Sequence, residues 1–251
     1  MYFSAGVPSV TVQRQLSVAT AAAAREKHPN RPSWVALFAK AYAMVAAEFP
    51  ELRRAYVRLP WPHLYEYQSS AAQIAVERDF NGEKGLAFLH ITDPAGVSLP
   101  WLSWRIRDAK QESEFGWKLA KVRQVARLPL PLRRALWWLM LNVPRVRANW
   151  LGTFGLSTVS SLDTEILNPQ SPLSSVLTYG AVARDGSVSV RIVFDHRVMD
   201  AMTLARAFKR LEQVLNGPIT DELRRCSDVV QMEAPSLAPA FPHQPVVQAR
   251  R

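Results

Sequence analysis

Apolar residues recur at three- and four-residue steps along Trp34, Leu37, Phe38, Ala41, Val45 and Phe49, which places them on one stripe of a helix. Ser33, behind Pro32, is positioned to cap its first turn. The run Phe49-Pro50-Glu51-Leu52 ends it, because Pro50 cannot continue the hydrogen-bond ladder. Ahead of this helix, weak alternation around Val10, Val12, Leu16 and Val18 predicts an opening strand or arm within residues 1–20. Behind it, residues 55–80 carry alternating and aromatic pieces, Ala72–Val76 among them, that read as strands. Asn81-Gly82-Glu83-Lys84-Gly85 reads as a turn, and Leu86–Ile91 as another strand. A second helical region is expected from Trp101 to about Arg127.

The final third is the clearest. Ser175–Val182 and Ser187–Asp195 read as two strands joined by a hairpin at Asp185-Gly186, a pair that tolerates positive φ. Val188, Val190, Ile192 and Phe194 share one face, and the period-two rule puts His196 on that same side, facing inward at the strand's end. Met202–Leu215 follows as a helix with Ala205, Phe208, Leu211 and Leu215 on its buried stripe. After about Cys226 the text turns Ala/Pro/Gln-rich, the composition of a disordered tail over 226–251. No internal repeat is visible. A chain of 251 residues suits one large domain, taken as 1–225.

Composition narrows the setting. Cys226 is the only cysteine, so neither an intrachain disulfide nor a cysteine metal cluster can form, and no metal is expected. No run approaches the roughly 18 apolar residues of a membrane span, and the N-terminus lacks a secretory layout. A cytoplasmic setting is the default. The net charge of +10 admits nucleic acid, an anionic membrane or a phosphate-bearing ligand as partner. No recognition motif accompanies it, which argues against nucleic acid.

The charge is localised. Between Gly116 and Leu162 there is no acidic residue, while Lys118, Lys121, Arg123, Arg127, Arg133, Arg134, Arg145 and Arg147 fall there. Among them runs Ala135-Leu136-Trp137-Trp138-Leu139-Met140-Leu141, bracketed by Pro129, Pro131 and Pro144. A basic, Trp-containing amphipathic stretch can lie flat on an anionic bilayer, at the inner face of the membrane. The reading ranked ahead is a helix packing its tryptophans on the core or on a neighbouring subunit.

Five histidines are present: His28, His63, His90, His196 and His243. A lone inward histidine is ordinarily structural. His196 differs in lying where a hydrophobic strand gives way to a helix, with Asp195, Arg197 and Asp200 close in sequence. A neutral imidazole held there is suited to taking a proton from a thiol or hydroxyl.

Asp195-His196-Arg197-Val198-Met199-Asp200 resembles the Asp-His-Arg-x-x-Asp-Gly signature of the dihydrolipoamide acyltransferases of 2-oxoacid dehydrogenase complexes, and the related His-x-x-x-Asp-Gly of chloramphenicol acetyltransferase. Gly152-Thr153-Phe154-Gly155-Leu156-Ser157 resembles the family's Gly-Thr-Phe-Thr-Ile-Ser. Ile166-Leu167-Asn168-Pro169-Gln170 resembles its Ile-Ile-Asn-Pro-Pro-Gln, and Phe49-Pro50-Glu51-Leu52 matches the end of its early helix. The four matches keep the family's order over roughly residues 8–217.

The resemblance implies an α/β fold: a chloramphenicol acetyltransferase-like two-layer sandwich, a mixed sheet with helices packed on one face. It implies an acyltransferase that moves an acyl group from a thioester of coenzyme A, a carrier protein or a lipoyl arm to a thiol, hydroxyl or amine, without an acyl-enzyme. His196 would be the general base and Ser157 the oxyanion donor. Asp200 would brace the His loop through an arginine, with Arg14 and Arg25 as candidates. A homotrimer is implied, with active sites where subunits meet. Cofactor-binding residues are not readable.

The departures are specific. Ala201 stands where the family has glycine, so a backbone shape needing positive φ is unavailable there. Gly155 and Thr158 replace the residues flanking the serine. No lipoyl or subunit-binding domain accompanies the catalytic segment, and the basic stretch of about 127–150 replaces a short linker. The tail lacks the apolar end with which the family's trimers knot together. Ala201 and the missing lipoyl domain favour an alternative, a catalytically inactive trimeric scaffold or binding protein of the same fold. His196, Ser157 and Asp200 argue for the enzyme.

Overall fold

The hydrophobic strands found by alternation assemble into one sheet. The computed structural model describes residues 3–4, 6–80, 83–109, 124–158 and 166–232. In chain order its strands are β1 (Ser9–Ser17), β2 (Arg54–Val57), β3 (His63–Glu66), β4 (Ala71–Phe80), β5 (Glu83–Thr92), β6 (Phe154–Leu156), β7 (Ser175–Tyr179) and β8 (Ser187–Asp195). Its helices are α1 (Ala19–Lys27), α2 (Trp34–Glu48), α3 (Leu99–Asp108), α4 (Leu130–Asn142), α5 (Pro144–Leu151), α6 (Ala201–Val214) and α7 (Thr220–Met232). Six strands form a sheet in the order β1-β8-β7-β6-β4-β5, and β2-β3 form a separate ribbon. β4, β6 and β7 run parallel and the other pairs antiparallel, so the sheet is mixed.

One face of this sheet carries the core. Ala72, Ile74, Val76, Phe154, Leu156, Leu177, Val190, Ile192 and Phe194 point to it and meet Phe38, Tyr42 and Val45 of α2 and Leu204, Phe208 and Leu211 of α6. Phe38 stacks on Tyr179 with ring centroids 4.3 Å apart, and Tyr42 lies 4.5 Å from Phe154. The Tyr42 hydroxyl would be costly to bury unpaired. It donates to Ser175 Oγ at 2.7 Å, and burial pushes its pKa up. The expected two-layer sandwich is observed. On the opposite face, α4 and α5 add partial cover that the family resemblance did not include.

Ser33 caps α2, its Oγ accepting from Ala36 N at 3.3 Å, and the helix stops before Pro50, both as its spacing predicts. Gly186 turns the β7–β8 hairpin with φ near 79°, where a Cβ would stand 2.5 Å from Ala19 Cα. α1 has no signal in the hydrophobic pattern: Ala21-Ala22-Ala23-Ala24 favours helix but offers no apolar–polar contrast to read. β7 ends at Tyr179 rather than at residue 182. The Asn81-Gly82 part of the expected turn and most of the second half of the 101–127 helical region lie outside the described residues, and β5 already begins at Glu83. α7 runs through Met232, past the point near Cys226 where a tail was expected; residues 233–251 are outside the description.

A partly buried ion pair ties three helices together. Lys40 of α2 donates to Val97 O at 2.6 Å and pairs with Glu222 of α7 at 2.7 Å, while Glu222 also accepts from Leu99 N at the start of α3. Removing one member strands the other in a low-dielectric setting. Lys40→Met should lower unfolding free energy by about 3 kcal/mol, and adding Glu222→Leu should recover part of that loss. Chemical denaturation of the two variants checks this; equal stability of Lys40→Met and wild type would refute it.

Candidate active site

β8 delivers the His loop. The strand leaves its ladder after Asp195, whose N–H donates to Ser174 O at 3.0 Å; His196 N then donates to Pro8 O at 3.0 Å. The chain turns, and Val198 and Met199 take the buried positions. His196 therefore does not continue the inward alternation: its side chain is exposed, with its ring 5.6 Å from that of Phe194. The inward placement expected from the strand period fails because the strand ends one residue too soon.

The loop is braced by Asp195 rather than Asp200. Asp195 is 3% exposed and takes a two-pronged ion pair from Arg197, Nε to Oδ1 at 2.9 Å and Nη2 to Oδ2 at 2.7 Å. Its Oδ1 also accepts from Arg197 N at 3.0 Å, closing the turn around His196. Such forked, charge-assisted pairs are geometrically demanding and hold a loop in one shape. The Arg197 guanidinium lies 4.4 Å over the Tyr56 ring. Beneath it, the buried Arg147 of α5 donates to Tyr56 O at 3.1 Å and to Pro172 O at 2.6 Å.

Asp200 has a different task. It is the N-cap of α6, its Oδ1 accepting from Thr203 N at 2.7 Å. Neither expected arginine pairs with it. Arg14 is paired with Glu212 at 3.4 Å, and Arg25 donates to Pro32 O at 2.7 Å and pairs with Glu26. Ala201 is the first residue of α6, a position where glycine has no advantage, and it has no positive φ.

The second motif works through Gly152 and Thr153. Gly152 closes α5 at φ near 78°, and a Cβ there would lie 2.6 Å from Ala71 O. Thr153 N donates to Ala71 O at 2.7 Å, and its Oγ1 accepts from Ala71 N at 2.9 Å. Together they land Phe154 beside β4. Ser157 follows β6, its N–H donating to Leu177 O at 3.1 Å. It is half-buried and lines a cavity of about 600 Å³ on the sheet's second face. The 166–173 loop crosses that face, with Thr178 Oγ1 donating to Ile166 O and Thr11 Oγ1 to Asn168 Oδ1.

Within one chain Ser157 and His196 are not brought together. Ser157 lies level with Thr178, which pairs with Arg191, five residues short of His196 and one strand further on. At roughly 3.3 Å per residue and 4.8 Å per strand, the two are about 19 Å apart. Sequence reasoning also missed Tyr56 and Arg147 as supports of the loop. In the sequence Arg147 is one of many basic residues, and nothing in its neighbours signals burial.

No protein-family model and no curated protein sequence matches the chain. Solved structures do. The cubic core of the pyruvate dehydrogenase multienzyme complex superposes with a TM-score of 0.63 at 17% identity, covering 88% of this chain and 86% of that one. A dihydrolipoamide acetyltransferase from Azotobacter vinelandii gives 0.62 at 17%, with 88% and 86% covered. A chloramphenicol acetyltransferase gives 0.54 at 13%, with 85% and 92% covered. The chain has the fold of these acyltransferase cores.

The Thr203 N–H holds the Asp200 carboxyl below its ordinary pKa. A depressed folded value stabilises above the unfolded pKa and is lost as pH falls through the folded one. Asp200→Ala should therefore melt below wild type at neutral pH, with the gap narrowing as pH falls through and below the usual carboxylate range. Thermal melts at several pH values measure it; a gap that widens in acid would refute the cap.

Proposed function

We propose that this protein is a thioester-dependent acyltransferase acting as a homotrimer, with His196 of one subunit completing a site around Ser157 of its neighbour. The observation that carries the reading is the separation of these residues across a single sheet combined with the exposure of His196 on a rigid loop. A base so firmly braced, and so far from Ser157 in its own chain, is suited to serve a site across an interface. The shared fold supports the same reading, since the similar structures include a pyruvate dehydrogenase core and two acetyltransferases. In the Azotobacter vinelandii enzyme, a serine, a histidine and an asparagine have been investigated for their role in the catalytic mechanism.

In the proposed reaction His196 takes the proton of the acceptor's thiol, hydroxyl or amine. The acceptor atom attacks the thioester carbonyl, and the Ser157 hydroxyl donates to the oxyanion that forms. Collapse breaks the carbon–sulfur bond, and the departing thiolate takes the proton back from the imidazolium. Asp195, Arg197 and Tyr56 hold the base in place; Asp200 starts the helix that follows it. The donor is coenzyme A or another phosphate-bearing or lipoyl thioester arm. Ala201 favours an inactive scaffold on sequence alone, and its unstrained place at the start of α6 weakens that alternative.

The outward side of α4 supports one further element of this reading, peripheral contact with an anionic membrane surface. Leu132, Leu136 and Leu139 are exposed there, and Trp138 of α4 and Trp150 of α5 are 37% and 42% exposed, so these tryptophans are not packed into the chain's own core. No helix among the described residues is long and apolar enough to cross a membrane.

Incubated with acyl-CoA donors and small thiol or hydroxyl acceptors, the purified protein should release free thiol. His196→Ala should slow this by about 10²–10⁴-fold and Ser157→Ala by about 10²–10³-fold. Co-assembled trimers of the two variants should regain roughly a quarter of the wild-type sites. Equal thiol release by His196→Ala would sink the assignment, and absence of rescue in mixed trimers would sink the shared site. For the membrane contact, co-sedimentation with liposomes should require anionic lipid, and binding to neither neutral nor anionic vesicles would remove it.

A further inference from the structure

The basic insertion does more than cover the sheet. Leu130, Arg133, Arg134, Trp137 and Leu141 recur at the spacing of one helical face, and that face of α4 looks onto the sheet's second side. The helix does not seal against the strands: Asn142 is its only buried residue, and a cavity of about 600 Å³ remains beneath it. Ala75, Phe88 and Val176 form the floor, Trp137 and Leu141 the roof, and Ser157 reaches the same space.

We propose that this cleft holds the hydrocarbon chain of the acyl donor, and that the enzyme acts on medium- to long-chain thioesters rather than on acetyl groups. This rests on the acyltransferase reading above. Three features support it. The volume falls within the roughly 300–1,000 Å³ of small-molecule sites, whereas an acetyl group would leave most of it vacant and apolar walls unpacked. The floor is kept low by Ala75 and Gly155, where a Cβ on the latter would already stand 3.2 Å from Val176. The roof carries Arg133 and Arg134 beside its apolar groups, placing positive charge on a wall that an anionic, phosphate-bearing thioester arm would follow. Leu86 and Phe88, 60% and 49% exposed, supply further apolar surface along the same space.

The test is chain-length dependence. With one fixed acceptor, kcat/KM for acetyl-, butyryl-, octanoyl-, lauroyl- and palmitoyl-CoA should rise by about fourfold per methylene until the cleft is full, then level off. Ala75→Phe, which fills the floor, and Leu141→Trp, which lowers the roof, should each collapse the ratio of palmitoyl- to acetyl-CoA kcat/KM toward one. A non-reactive palmitoyl-CoA thioether should alter tryptophan fluorescence in wild type and not in Trp137→Leu. Palmitoyl-pantetheine, which lacks the outer phosphates, and a palmitoyl carrier protein distinguish the sources of the anionic arm: Arg133→Ala with Arg134→Ala should raise KM several-fold only for the phosphate-bearing donor. Equal rates for all chain lengths with His196-dependent transfer intact would overturn the cleft assignment and leave the acyltransferase reading standing; a second copy of the chain filling the cleft would give this result. Binding of the thioether by a protein that transfers no acyl group would instead overturn the acyltransferase reading.

Discussion

The hydrogen-bonded register of β6, β7 and β8 is the constraint on which the rest depends. Val176 opposite both Gly155 and Val193 locks three strands together, and a slip of one residue would turn every apolar side chain from the core to the other face. That lock sets Ser157 at one end of the sheet and His196 at the other. Burial enforces it, since Leu177, Ile192 and Phe194 all belong to the core. Within one chain this register keeps Ser157 and His196 apart, and the proposed site shared between subunits rests on that separation.

The His loop gains its rigidity from an unusual direction. Asp195 and Arg197 form a closed pair within three residues, but that pair is seated on Tyr56, and Tyr56 is held by Arg147 from α5. Asn142 adds to this by accepting from Arg58 N just beyond β2. The basic segment of about 127–150 is therefore part of the support of the proposed base. The same segment roofs the cavity that Ser157 lines, so it touches both halves of the proposed site while leaving a second apolar side exposed.

Much of the fold was legible because its signals are local. The stripe of α2, its Ser33 cap, the Asp185-Gly186 hairpin and the bounds of β8 each follow from spacing or from a residue's own backbone preference. α1 escaped because a run of alanines has propensity without periodicity. The candidate site was legible only as separate parts: the motifs pointed to His196, Ser157 and Asp200. Their relations were not, because the brace belongs to Asp195 and Arg197, and the cap that Asp200 provides is a backbone matter that the motif's letters do not distinguish from an ion pair.

By itself, then, the sequence marked most of the strands and helices and pointed to His196, Ser157 and Asp200 as candidates for the chemistry, since periodicity, caps and turn residues act over a few positions. Only the tertiary structure decided where those side chains face and what holds them. His196 turns outward because Val198 and Met199 claim the core; Arg147 is buried because two carbonyls from distant segments, Tyr56 and Pro172, converge on it. Such outcomes depend on long-range packing competing for one interior, and no local pattern encodes which residue wins.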